Sequence, residues 1–226
     1  MKSDAATVQH LLLDALPSEL DGLLLAHGFA RSATSLEYSR RRGESLQQIV
    51  MGFDVAPTYE MDAIAHVLPQ VRLTFPAAQQ ITRMLLGTCT TDGGDLDSTF
   101  SLYLGNIAPK DSRVLNWYIY RHESPAVCLS SIRHFMDTWG LAFLNGYSSL
   151  KALTEGFERR DDALPRDRRF LLIIVAAYVA LNDAQKAFHV LATRFGRPGT
   201  RRKYSTAFEY VEHLLAEEHQ SGGATS

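Results

Sequence analysis

An α+β fold is predicted, with an antiparallel-type sheet of about five strands packed on helices and a helical C-terminal half. Three observations predict it. Apolar and polar residues alternate over short stretches between Leu36 and Tyr120, apolar residues recur at helical spacing from Ser124 almost to the C-terminus, and neither part carries a catalytic signature. Strands gathered first and helices gathered after them give a sheet covered on one face by helices, an architecture that hosts many functions.

The elements follow in order. Val8, Leu12, Leu16, Leu20, Leu23 and Leu24 predict an amphipathic helix, kinked or broken at Pro17 and capped at Gly28. Past Gly28 the period becomes two: Leu36 and Tyr38 alternate with Glu37 and Ser39, Gly43-Glu44 supplies a turn, and Ile49, Met51, Phe53 and Val55 continue a hairpin. A third strand is expected at Asp62 to Leu68. Thr74 and Pro76 then start a helix with Ile81, Met84 and Leu85 on its buried side, ending at Gly87. Thr88 to Asp97 is a polar loop. Phe100, Leu102 and Leu104, then Leu115, Trp117 and Ile119, mark two more strands, in a meander-like order.

Ser124-Pro125 opens a long helix through Cys128, Ile132, Phe135 and Trp139, expected to lie on the sheet. Ser148 caps a short helix through Leu150, Leu153 and Phe157, and a charged stretch, Glu158 to Arg169, leads to the apolar run Phe170–Leu181. That run has twelve residues, too few for the roughly twenty that cross a bilayer, so it should be a buried core helix. Asp183 opens a helix with Phe188, Leu191 and Phe195 on one side, closed by Gly196 and Pro198, and Tyr204, Phe208, Val211 and Leu215 mark the last. YVALNDAQKAFHVL has the pattern of half a tetratricopeptide hairpin, but it occurs once and a solenoid needs several copies.

No linker interrupts the 226 residues, so one domain is expected over 1–220: an N-terminal helix, a strand-rich part over 31–121 and a helical part over 124–219, followed by a flexible tail over 221–226. Hydrophobic residues at 46% and charged residues at 21% are close to the soluble globular average and suggest neither a disordered chain nor a membrane protein. The net charge of −2, with basic clusters only at Arg40–Arg42 and Arg201–Lys203, argues against a nucleic-acid partner, and both clusters are expected to be solvated turns. Two cysteines, Cys89 and Cys128, are too few for a disulfide scaffold and predict reduced thiols in the cytoplasm, and Asp14, Glu19 and Asp21 interrupt any secretory core near the N-terminus.

Sites of chemistry are sparse. His122, Cys128 and His134 lie six residues apart, the wrong spacing for a zinc motif, and His213 with Glu217 at i, i+4 is expected to be an exposed hydrogen-bonded pair. Cys89 follows a helix C-terminus, where the dipole disfavours a thiolate. There is no nucleophile elbow, phosphate loop or EF-hand, and the aspartate-rich loop TTDGGDLD is expected to be a solvated turn. Tyr38, Tyr103, Tyr118 and Tyr120 lie on strands as a half-buried β face without an RNA-binding consensus. Two acidic groups remain as candidate partner surface: Asp92, Asp95 and Asp97 in one loop, and Glu155, Glu158, Asp161 and Asp162 along one short helix and its end.

Two segments carry a family resemblance. LLLAHGFARSATSLEYSRRRGESLQQIVMGFD, in which a helix ends at Gly28-Phe29 and leads into a basic-aromatic strand and hairpin, resembles an uncharacterised family of small bacterial α+β domains, as does MDTWGLAFLNGYSSLKALTEGF. Together they cover about a quarter of the chain, and the helical C-terminal extension departs from the shortest members. Similar proteins occur beside polymorphic or contact-dependent toxins and serve as immunity partners. The resemblance therefore implies a cytoplasmic binding protein, without cofactor or membrane anchor, that neutralises a cognate toxin domain by covering its active site. The matched residues Gly28, Phe29, Tyr38, Trp139 and Leu150 are structural, so no catalytic residue carries over. Two other classes stay open: a small cytoplasmic enzyme with a pocket including His66, His122 or Asp54, and a nucleic-acid or regulatory adaptor using the two basic clusters.

Overall fold

The computed structural model describes residues 4–87, 99–114 and 116–222. Cys89, Asp92, Asp95 and Asp97, with the rest of the loop 88–98, Leu115 and the tail 223–226, lie outside the described residues. The chain divides into two compact units, the first comprising Met1–Arg42, Leu46–Leu73 and Ser101–Gly146, the second Gly43–Ser45, Thr74–Phe100 and Tyr147–Ser226.

The first unit begins with α1 (Ala5–Leu16), whose N-cap Asp4 accepts the Thr7 N–H at 2.8 Å. Pro17 does not break the helix. It starts a five-residue π segment, Pro17–Asp21, which runs into α2 (Gly22–Ala26). Val8, Leu12, Leu16, Leu20 and Leu24 are all buried. A spacing of four drifts about 40° per step on a regular α-helix, and the wider i→i+5 turn at Pro17 takes up the extra residue and holds the leucines to one side. Gly28, at φ +80°, ends the helix as expected.

Five strands make an antiparallel sheet: β1 (Glu37–Arg42), β2 (Ser45–Val55), β3 (Ala63–Thr74), β4 (Phe100–Tyr103) and β5 (Trp117–Tyr120). The order is not a full meander, because β5 returns to pair with β3, which also pairs with β4. At 12 residues β3 is long enough to carry both four-residue strands. The β3–β5 register sets His66 opposite Tyr118 and Val67 opposite Trp117, with an irregularity between Ala63 and Ala65.

The helix α4 (Pro125–Phe135) packs on β5 as expected. Trp117 meets the Phe135 ring edge-on at 5.5 Å and donates its indole N–H to Ser131 Oγ at 3.2 Å. Beyond Phe135 a second π segment, Met136–Gly140, precedes α5 (Leu141–Gly146). That extra residue corrects the expected face: Met136 and Gly140 are buried, and Trp139 is left half-exposed.

Two charged groups anchor polar networks in this unit, Asp21 half-buried and Arg40 buried. Asp21 receives Arg31 through Nε at 3.1 Å and Nη2 at 2.9 Å, and the Tyr38 hydroxyl at 2.5 Å, which holds its carboxyl below the ordinary range. Arg40, expected in a solvated turn, is 6% exposed. It donates to Gln47 Oε1 at 2.9 Å, His27 O at 2.7 Å and Asn145 Oδ1 at 2.7 Å, and lies over the Phe29 ring at 4.3 Å. Strand alternation turns Arg40 inward with Tyr38 and Arg41 outward, and Arg42, in phase with Arg40, is exposed where β1 ends.

The second unit is helical: α3 (Pro76–Leu86), α6 (Leu150–Glu158), α7 (Arg168–Ala180), α8 (Ala184–Phe195), α9 (Pro198–Lys203) and α10 (Ser205–Gly222). The apolar run is the core helix α7, packed against α3, α6 and α8, with buried residues from Phe170 to Tyr178 on nearly every side. Asp167 and Asp183 cap α7 and α8, and Asn182 takes the left-handed turn between them at φ +57°. Three expectations are corrected. On α3 the buried residues are Ala78, Thr82 and Leu85, with Met84 exposed. Ser149, not Ser148, caps α6, accepting the Ala152 N–H at 3.1 Å. Arg201–Lys203 close the short helix α9 instead of a turn, with Arg201 stacked on Phe208 at 4.3 Å and bridged to Glu212. The turn Gly43–Ser45 belongs to this unit, where the Glu44 carboxylate accepts the Leu150 N–H at 2.7 Å at the start of α6. Among the described residues no helix is long and apolar enough to cross a membrane.

Candidate functional site

The β2–β3 connection, 56–62, is an irregular turn beginning at Ala56, which has a left-handed φ of +48° and donates its N–H to Ile64 O. It carries Tyr59 and Met61, 63% and 89% exposed. Both are large side chains that burial would stabilise, and water-facing apolar surface of this kind marks interaction sites when it is grouped. It is grouped here. Alternation along β5 sends Trp117 and Ile119 into the core, leaving Tyr118 and Tyr120 on the opposite face beside His66. Tyr59 hydrogen-bonds His66 Nδ1 through its hydroxyl at 2.7 Å. The ring centroids of His66 and Tyr118 are 4.8 Å apart, those of Tyr118 and Tyr120 5.9 Å, and those of Tyr59 and Tyr118 6.5 Å. Three tyrosine rings thus form one platform around the buried His66, whose Nε2 has no hydrogen-bond partner among the described residues.

Carboxylates flank the platform. Partial desolvation, then neighbouring Tyr59 and Glu60, raise the Tyr118 phenol above its ordinary range, and desolvation with Glu60, Glu123 and Asp62 does the same to Tyr120. Arg121 is the cation beside them, exposed and tied to Asp62 O through its backbone N–H at 3.2 Å. The surface therefore combines tyrosines, which suit interface hot spots and the faces of cations, with an excess of negative charge.

The sequence-predicted carboxylates lie elsewhere. Asp92, Asp95 and Asp97 are outside the described residues. Glu155 is exposed on α6. Glu158 accepts the Tyr178 hydroxyl at 2.9 Å and Lys186 Nζ at 2.9 Å, and Lys186 followed by Tyr178 holds its carboxyl below the ordinary range. Asp161 accepts the Tyr147 hydroxyl and the Ala163 N–H, and Asp162 pairs with Arg166 at 2.8 Å on the surface. Glu158, Asp161 and Arg166 line a groove of about 590 Å³ between the end of α6 and α8.

Of the residues considered for an enzyme, His66 sits in the tyrosine platform, and Asp54 and His122 are exposed. Cys128 is buried, which pushes its thiol up to about 12. Among the described residues no three His, Cys, Asp or Glu side chains converge as a metal site requires, and His213 and Glu217 form the exposed pair at 3.3 Å. Tyr118 and Tyr120 were legible from strand alternation. Tyr59, Glu60, Asp62 and Glu123 were not, because their proximity comes from the β3–β5 pairing and no local pattern records it. Compared with protein-family profiles, curated proteins and solved structures, the chain matches none.

Proposed function

We propose that this chain is a non-enzymatic binding protein of the immunity type, which takes a basic protein partner on the tyrosine platform and so neutralises a cognate bacterial toxin in the cytoplasm. The observation that carries the reading is the cluster of exposed Tyr59 with half-buried Tyr118 and Tyr120, which has Glu60, Asp62 and Glu123 around it. Tyrosines supply large contact area at little entropic cost, and the surrounding carboxylates steer a cationic partner and set its register. The segment resemblance supports the toxin as that partner.

Co-expression with a toxin domain found in the neighbourhood of this chain's gene, read as colony growth and as co-purification, tests the proposal, and a neighbourhood without one counts against it. Wild-type protein should restore growth. Tyr59→Ala, and separately the pair Asp62→Asn with Glu123→Gln, should lose protection while the purified variants keep the wild-type unfolding midpoint, and the complex should weaken as salt rises. Growth restored equally by these variants would move the interface away from the platform, and no rescue by the wild type would end the immunity reading.

A further inference from the structure

The groove between α6 and α8 has a composition of its own. Its mixed lining includes apolar Phe157, Leu164, Leu171 and Val190, all buried or half-buried, and Arg160 and Arg194, which are exposed. Its volume of about 590 Å³ lies in the range of small-molecule sites. Of the carboxylates lining it, Glu158 pairs with Lys186, which Asp183 outside the lining also reaches at 3.7 Å, and Asp161 is occupied by the Tyr147 hydroxyl and the Ala163 N–H. Arg166 is matched by Asp162. Neither Arg160 nor Arg194 has an ion-pair partner among the described residues, so the lining carries a positive excess of one charge over Asp161.

The backbone adds a second, independent observation. The Arg160 N–H bonds Phe157 O at 3.0 Å and the Asp161 N–H bonds Gly156 O at 3.0 Å. This is the Schellman termination of α6, in which the residue one past the cap adopts a left-handed conformation and is usually glycine. Arg160 occupies that position at φ +58°, where a Cβ is unfavourable. An arginine held in strained backbone at the mouth of a cavity points from geometry to function.

We infer that this groove binds a small organic anion, a carboxylate or phosphate carried on an apolar body, with the body against Phe157, Leu164, Leu171 and Val190 and the anionic group held by Arg160 and Arg194. The geometry asks for both parts of the ligand at once. Arginine pairs with either head group through two parallel N–H donors, and the apolar side chains gain nothing from a bare ion.

Isothermal titration with dodecanoate and with dodecyl phosphate, each below its micelle concentration, against dodecanol and inorganic phosphate, tests this. At least one of the two amphiphilic anions should bind, and dodecanol and inorganic phosphate should each bind at least ten-fold more weakly. Arg160→Gly is the decisive variant, because it relieves the strained position: its urea midpoint should equal or exceed that of the wild type while its affinity falls ten-fold or more, and Arg194→Gln should weaken binding similarly. Failure of both amphiphilic anions to bind the wild type, dodecanol binding as tightly as they do, or unchanged affinity in Arg160→Gly would overturn the inference. The stronger of the two head groups identifies the class of anion.

Discussion

Asp21, half-buried, and Arg40, buried, show how differently two charges are held. Asp21 has a counter-ion in Arg31 and a further donor in Tyr38. Its carboxyl is lowered in the folded protein, so its contribution is complete above the unfolded value of about 3.9 and is lost as pH falls through the lower, folded value. Asp21→Asn should therefore lower the urea unfolding free energy at neutral pH by about 1–3 kcal/mol. The gap from wild type should close between about pH 5 and pH 2, and a gap that stayed constant would remove the carboxylate from this account. Arg40 is held by neutral acceptors only, and burial, with Arg42 adding repulsion, pushes its guanidinium down to about 10, so it stays charged at neutral pH. A single ammonium cannot span Gln47, His27 O and Asn145, so Arg40→Lys should cost about 1–3 kcal/mol by the same measurement, an unchanged midpoint being the contrary result. Neither role was legible from sequence. The triplet Arg40–Arg42 has the composition of a surface turn. Strand phase separates Arg40 from Arg41, and the end of β1 with acceptors as remote as Asn145 separates it from Arg42.

At the scale of elements, the strands and the core helix were readable because their signals are local: a period of two in β1 and β2, and unbroken apolar sequence in α7. The two π segments were not, since a single extra residue in a turn shifts a helical face without changing its composition. Trp139 looked like the next buried position after Phe135 and is half-exposed, and Gly140 takes the buried place instead. A Cβ at Gly140 would lie 2.5 Å from Met136 Sδ and 3.3 Å from Leu104 Cδ1. With Met136 fully buried, Gly140→Ala should cost about 1–3 kcal/mol from overpacking. The same change in a Met136→Ala background should cost far less, and equal costs in both backgrounds would show that the sulfur is not what the methyl meets.

Across the whole molecule, a net charge of −2 conceals two surfaces of opposite sign, the acidic tyrosine platform of one unit and the arginine-lined groove of the other. The acidic run Glu155 to Asp162 was visible in sequence, but the hydroxyls of Tyr147 and Tyr178 that occupy two of its members come from 14 and 20 residues away and left no local trace. Cys128 gives a readout of opening: in a Cys89→Ser background, Ellman's reagent should label it on the order of a hundred-fold more slowly than in urea-unfolded protein. Labelling as fast as in urea would mean that the core around α4 opens freely. The Glu44 cap on α6 carries a practical warning. A two-residue hairpin turn is where a protein engineer would first splice an epitope tag or a fluorescent reporter, yet here such a graft would strip a helix more than a hundred positions downstream of the acceptor at its first turn.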